Sequence, residues 1–89
     1  MTQWRKTLER VLSPESTRSI RFEDLCNVLI RLGFEERRQT GSHRIFSKFG
    51  LPEIINVQPR PDGFAKPYQV RQVRNLILRY GLHLSVHSP

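Results

Sequence analysis

The sequence contains a single cysteine, a single methionine and a single tryptophan among 89 residues. One cysteine, Cys26, excludes an internal disulfide framework and a zinc cluster built on thiolates. It falls inside a helical pattern and reads as a small packing residue. Long apolar runs are missing as well. The longest, Val28-Leu29-Ile30 and Leu76-Ile77-Leu78, are three residues, far short of a membrane span. Arg5, Lys6, Glu9 and Arg10 have no apolar segment behind them, so no secretory signal is expected and a cytoplasmic protein is the default. There is no Walker-type loop, no dinucleotide fingerprint and no cofactor motif. Three histidines are present; His83 and His87 are four apart, but lie beside Pro89 with no nearby carboxylate, so no metal site is expected.

Acidic residues are scarce in one part of the chain. Residues 1–36 carry six basic and six acidic side chains, whereas residues 37–89 carry nine basic ones against Glu53 and Asp62. The whole net charge of +7 therefore arises after residue 36. A one-sided excess of this kind is the footprint of a polyanion binder or of a face that docks on an acidic protein. Twelve of the fifteen basic residues are arginine, which favours forked contacts to phosphate.

With 37% apolar and 26% charged residues, the chain has the makeup of one soluble globular domain. Trp4, Leu8, Val11 and Leu12 predict a short amphipathic helix over residues 3–12, ended by Ser13-Pro14. Residues 13–19 read as a polar loop. Phe22, Leu25, Val28, Leu29 and Leu32 form one apolar stripe of a second helix, with Glu23 and Asp24 at its start and Arg31 near its end, as the helix dipole favours. Gly33-Phe34 predicts a left-handed helix ending. The period then changes to two: residues 34–40, 43–49 and 53–58 are strand-length runs, joined by Gly41-Ser42 and by Gly50-Leu51-Pro52. Residues 59–66 read as an ordered loop. Pro67 opens a last helix that runs to Tyr80, with Val70, Val73, Leu76, Ile77 and Tyr80 on its apolar stripe and Arg71, Arg74 and Arg79 expected off it. The tail 83–89 is expected to fray.

The resulting order, an extra N-terminal helix followed by α-β-β-β-α, predicts an α+β two-layer sandwich. Two helices would cover one face of a three-stranded antiparallel sheet. The other face, expected to be rich in arginine, would stay open to a ligand.

His43 follows Gly41-Ser42 at the start of a strand, between Arg37-Arg38 and Arg44. A polar strand residue near a turn is one reading. The other is a general base or acid acting on a phosphodiester, since imidazole exchanges a proton near neutral pH. RNA carries its own nucleophile, the 2′-OH, so metal-free cleavage needs a base, charge stabilisation at phosphate and a proton for the leaving oxygen. Arg37, Arg38, Arg44 and Lys48 are the candidate phosphate ligands, with Arg71 and Arg74 as weaker ones. None of the arginines can be the acid, because they stay protonated.

A helix ending in Leu32-Gly33-Phe34, then the run from Arg38 through Gln39-Thr40-Gly41-Ser42-His43-Arg44-Ile45-Phe46, then a strand leading to a proline and a basic C-terminal helix, resembles the HicA toxins. The resemblance covers residues 21–82, leaving 1–20 as an extension and 83–89 as a tail. It implies a small bacterial mRNA interferase with a double-stranded-RNA-binding-domain-like fold, acting on mRNA and inhibited by a HicB-like antitoxin. The histidine of its Gly-Ser-His core, here His43, would be catalytic, and Ser42 would join the RNA contacts. Arg44 stands where many members have a second histidine, Pro59-Arg60 where many have a histidine after the proline, and Lys66-Pro67 where lysine-glycine often precedes the last helix. These differences preserve or raise positive charge. The competing expectations are a non-catalytic RNA-binding module of the same fold and a basic module that docks on an acidic protein.

Overall fold

The computed structural model describes residues 3–41 and 43–85, with the backbone alone for 38–40 and 85. In chain order they form α1 (Gln3–Leu12), a 3-10 turn (Pro14–Ser16), α2 (Phe22–Arg31), β1 (Glu35–Thr40), β2 (His43–Ser47), β3 (Ile55–Val57), α3 (Pro67–Tyr80) and α4 (Leu82–Ser85). The strands pair in the order β1-β2-β3, antiparallel throughout. The architecture is therefore α+β, a double-stranded-RNA-binding-domain-like α-β-β-β-α arrangement preceded by α1.

The helix ends follow local chemistry. At the end of α2, the amide of Gly33 donates to Ile30 and that of Phe34 to Leu29, each at 3.0 Å. This is the paired Schellman ending, and it needs the φ of +100° that glycine adopts freely. Phe34 then folds back into the core. Pro67 opens α3 and Gly81 closes it at φ +61°. The expected fraying of the tail fails at its start, where Leu82–Ser85 continue as the short α4. Residues 86–89 lie outside the described residues.

The core is built by three helices rather than the two that the sequence suggests. Leu25, Val28 and Leu29 of α2 and Val70, Val73 and Ile77 of α3 meet Phe46, Ile55 and Val57 of the sheet. Trp4, Leu8 and Val11 of α1 join the same cluster, so the N-terminal helix is part of the domain's interior. Cys26 is buried in it, and burial pushes its thiol up to about 12, so it stays protonated and unreactive at neutral pH.

The loop 59–66 is locked, as expected. Ala65 donates to Ile20 at 2.8 Å and Phe22 to Gly63 at 3.0 Å, tying the loop to the entry of α2. Arg21 lies over the Phe64 ring at 5.3 Å.

Candidate active site on the open sheet face

Side chains alternate along a strand, so consecutive residues of β2 serve opposite faces. Phe46 faces the helices and is fully buried, and Arg44 shares its side. His43, Ile45 and Ser47 fall on the other face, which none of the described helices covers. Antiparallel partners share a face. Asn56, opposite Ile45, and Ile54 accordingly belong to the open side with His43.

His43 is exposed, with Nδ1 3.3 Å from Oδ1 of Asn56. An amide oxygen can only accept, so this contact calls for a proton on Nδ1. With Nδ1 donating, the lone pair is left on Nε2. Asn56 is in turn fixed from behind. The buried side chain of Gln69 on α3 donates Nε2 to the Asn56 carbonyl and accepts from the Gln58 amide through Oε1, both at 3.1 Å. Gln69 thus satisfies the outer edge of β3, whose backbone groups would otherwise be unpaired. A chain of contacts runs from α3 through β3 to the imidazole. Neither Asn56 nor Gln69 was singled out by sequence; Asn56 stands between Ile55 and Val57 and Gln69 between Tyr68 and Val70, and only the strand register brings Asn56 to His43.

The five candidate RNA contacts fall in different places. Arg37 is the extra residue of a bulge, where the pairing shifts between Glu36 and Arg38. It is exposed and lines the open face. Lys48 lines the same region with its stem, but its ammonium lies over Gly33 at the C-terminus of α2, 2.5 Å from where a Cβ would stand. That end of the helix favours a cation. Ser42 lies outside the described residues, as does the side chain of Arg38, whose backbone pairs with Ile45.

Arg44 departs from the expectation of an arginine-rich open face. It lies on the helix-covered side, where Nε and Nη2 clasp the two Glu36 oxygens at 2.8 and 2.7 Å, and Nη1 reaches Glu23 at 3.1 Å. The forked hydrogen bond from Arg44 holds the Glu36 carboxyl below its ordinary value, and Glu36 raises the guanidinium in return. Arg44 therefore fastens β2 to β1 and α2. Its positive charge is already compensated.

Toward the far end of β2 from His43, the open face hollows into a shallow groove of about 720 Å³ between Arg37, Ile45, Phe49 and Ile54. Phe49 projects fully into solvent, and Ile54 is 64% exposed. The floor is apolar and the rim carries charge. Ile45 stands two residues from His43 on the same face, about 7 Å along the strand. Among the described residues, no group of three or more potential metal ligands occurs.

Comparison with curated proteins and with solved structures gives no match. A family match covers residues 22–79, well over half of the chain, and includes α2, all three strands and nearly all of α3. Its family is described as HicA toxin of bacterial toxin-antitoxin. With the Gly33-Phe34 helix ending, the antiparallel meander and His43 all inside the matched region, this chain belongs to the HicA toxin family.

Proposed function

We propose that the chain is an mRNA interferase, a metal-independent endoribonuclease of the bacterial cytoplasm, with His43 as its proton-transfer group. The observation that carries this reading is the His43–Asn56 pair on the uncovered sheet face. In the proposed step, Nε2 of His43 takes the proton of a 2′-OH, and the 2′ oxygen attacks the adjacent phosphorus. The bond from phosphorus to the 5′ oxygen breaks, and that oxygen leaves with a proton returned by the imidazolium or delivered by water. The products are a 2′,3′-cyclic phosphate and a 5′-hydroxyl.

Arg37 is the described cation best placed to meet phosphate on this face, and Arg38 and Ser42 complete the proposed contacts. Arg44 and Lys48 enter the proposal differently from the others. Arg44 holds β2 in register, and Lys48 would have to leave the end of α2 to touch RNA. The groove further along the same face, which Ile45 links to His43, offers an apolar floor for a base, with Arg37 on its rim for phosphate. A HicB-like antitoxin that covers the His43 face is the partner this reading requires.

A second reading, an RNA-binding module that does not cut, is favoured by one observation. Asn56 is the side chain bonded to His43, and it cannot serve as the missing acid. Induced expression of the full chain in bacteria separates the two. The interferase reading predicts growth arrest and loss of message, both abolished by His43→Ala. If arrest persists unchanged in that variant, His43 is not catalytic. If the purified chain binds RNA with a strong salt dependence and yields no fragments, the second reading holds.

A further inference from the structure

Among the described residues, Arg74 is the only buried charged side chain. The sequence places it off the apolar stripe of α3, but the structure brings it inside, 9% exposed. Its Nε donates to the Val11 carbonyl at 2.6 Å, and Nη2 donates to Thr17 Oγ1 at 2.6 Å and to the Ser13 carbonyl at 3.3 Å. All three acceptors are neutral. A buried guanidinium surrounded by neutral oxygens has hydrogen bonds but no counter-ion, and its desolvation is only partly offset.

Arg74 lines a cleft of about 270 Å³ with Pro14, Glu15, Thr17, Arg18 and Arg71. Arg18 and Arg71 are exposed, and neither is in an ion pair with a described residue. Three guanidiniums thus share one cleft with a single carboxylate, Glu15, in its wall. The bonds of Arg74 use Nε and Nη2, so the two donors of Nη1 are left over. We propose that this cleft is an oxyanion site that takes one phosphate group, on an RNA backbone or free. Its size lies below the roughly 300 Å³ at which sites for whole small molecules begin, which suits a single tetrahedral group. Arginine forks suit such a group better than lysine would.

The site is assembled from two parts of the chain. Pro14, Glu15, Thr17 and Arg18 precede the family match at residue 22, and Arg71 and Arg74 lie within it. The extension therefore supplies four of the six residues that line the cleft, which the matched region alone does not complete. This inference stands independently of catalysis at His43.

The test follows the Nε–H resonance of Arg74 in the full-length chain by NMR. Inorganic phosphate is titrated in one arm and a 2′-O-methyl oligoribonucleotide, which cannot be cleaved, in the other. A saturable shift in either arm supports the site. A shift with the oligonucleotide at lower concentration identifies a backbone phosphate as ligand, and a shift with inorganic phosphate alone identifies a free one. Arg18→Gln with Arg71→Gln changes only exposed side chains and should weaken the response at least tenfold. The proposal fails if the resonance stays still in both arms or the double variant responds like wild type. It fails too if chloride produces the same shift, since that marks an adventitious ion only. A chain without any ribonuclease activity would still pass this test.

Discussion

The two faces of the sheet treat polar side chains in opposite ways. On the covered face, two glutamates neutralise Arg44 where it sits beside Phe46. On the open face, His43 is exposed and touches a neutral amide, with Arg37 and the shallow groove further along. The difference shows that the net charge of +7 measures the molecule poorly as a ligand surface. Arg44, counted in it, is engaged in ion pairs within the fold, whereas the bulge leaves Arg37 outside on the open face.

The sharpest way to break this comparison is to damage the covered face alone. Phe46→Ala removes a fully buried ring from the centre of the core and should cost about 3–5 kcal/mol. Thermal and urea unfolding measure it, and retention of wild-type stability would show that the face is not packed as described.

Arg44→Gln comes next. It removes charged hydrogen bonds from a side chain that is 17% exposed, and should cost about 2 kcal/mol. The pH dependence gives a second readout. Glu36 is held below its ordinary value of 4.5, so its contribution is complete above that value and is lost as pH falls through the depressed one. Wild type should lose stability over that acid range, and Arg44→Gln should flatten the loss. An unchanged acid profile would assign Arg44 to the ligand surface instead.

Much of this fold was legible because helix ends carry local signals. Pro67 and Gly81 bracket α3 where expected, and Gly33-Phe34 gives the ending of α2 that the structure contains. The strands were legible in number and order but not in facing. In the run His43-Arg44-Ile45-Phe46-Ser47, apolar residues fall on both faces, so alternation alone does not say which side is covered. The bulge at Arg37 adds a residue that no local signal announces. Arg74 was misplaced because a charge weighs against burial, although Val70, Val73, Arg74 and Ile77 are spaced as one core-facing stripe. That spacing was the available clue. His43 was singled out through the Gly-Ser-His pattern, whereas its contact with Asn56 depends on cross-strand register and had no sequence signal of its own.

On the open face the expected effects are smaller and concern rate more than stability. Asn56→Ala should lower the rate of RNA cleavage on the order of tenfold, by releasing the imidazole from its orientation. Asn56→Asp places a negative charge beside the ring and favours its protonated form, so the acid limb of the pH–rate profile should move to higher pH. A purely structural role for Asn56 would leave that limb in place. Arg37→Gln should weaken RNA binding uniformly across sequences and reduce the salt slope by about 1. No change in slope would remove Arg37 from the phosphate contacts.

The central claim is that His43, oriented by Asn56 on the uncovered face, moves the proton in RNA cleavage. Its most direct test incubates the purified full-length chain with an oligoribonucleotide in the presence of EDTA and identifies the product ends. The account predicts 2′,3′-cyclic phosphate and 5′-hydroxyl ends, no cutting of the 2′-O-methyl analogue, and a loss of about 10²–10⁴-fold in His43→Ala with unfolding unchanged. Cleavage by His43→Ala at the wild-type rate, or cutting of the 2′-O-methyl analogue, would contradict it.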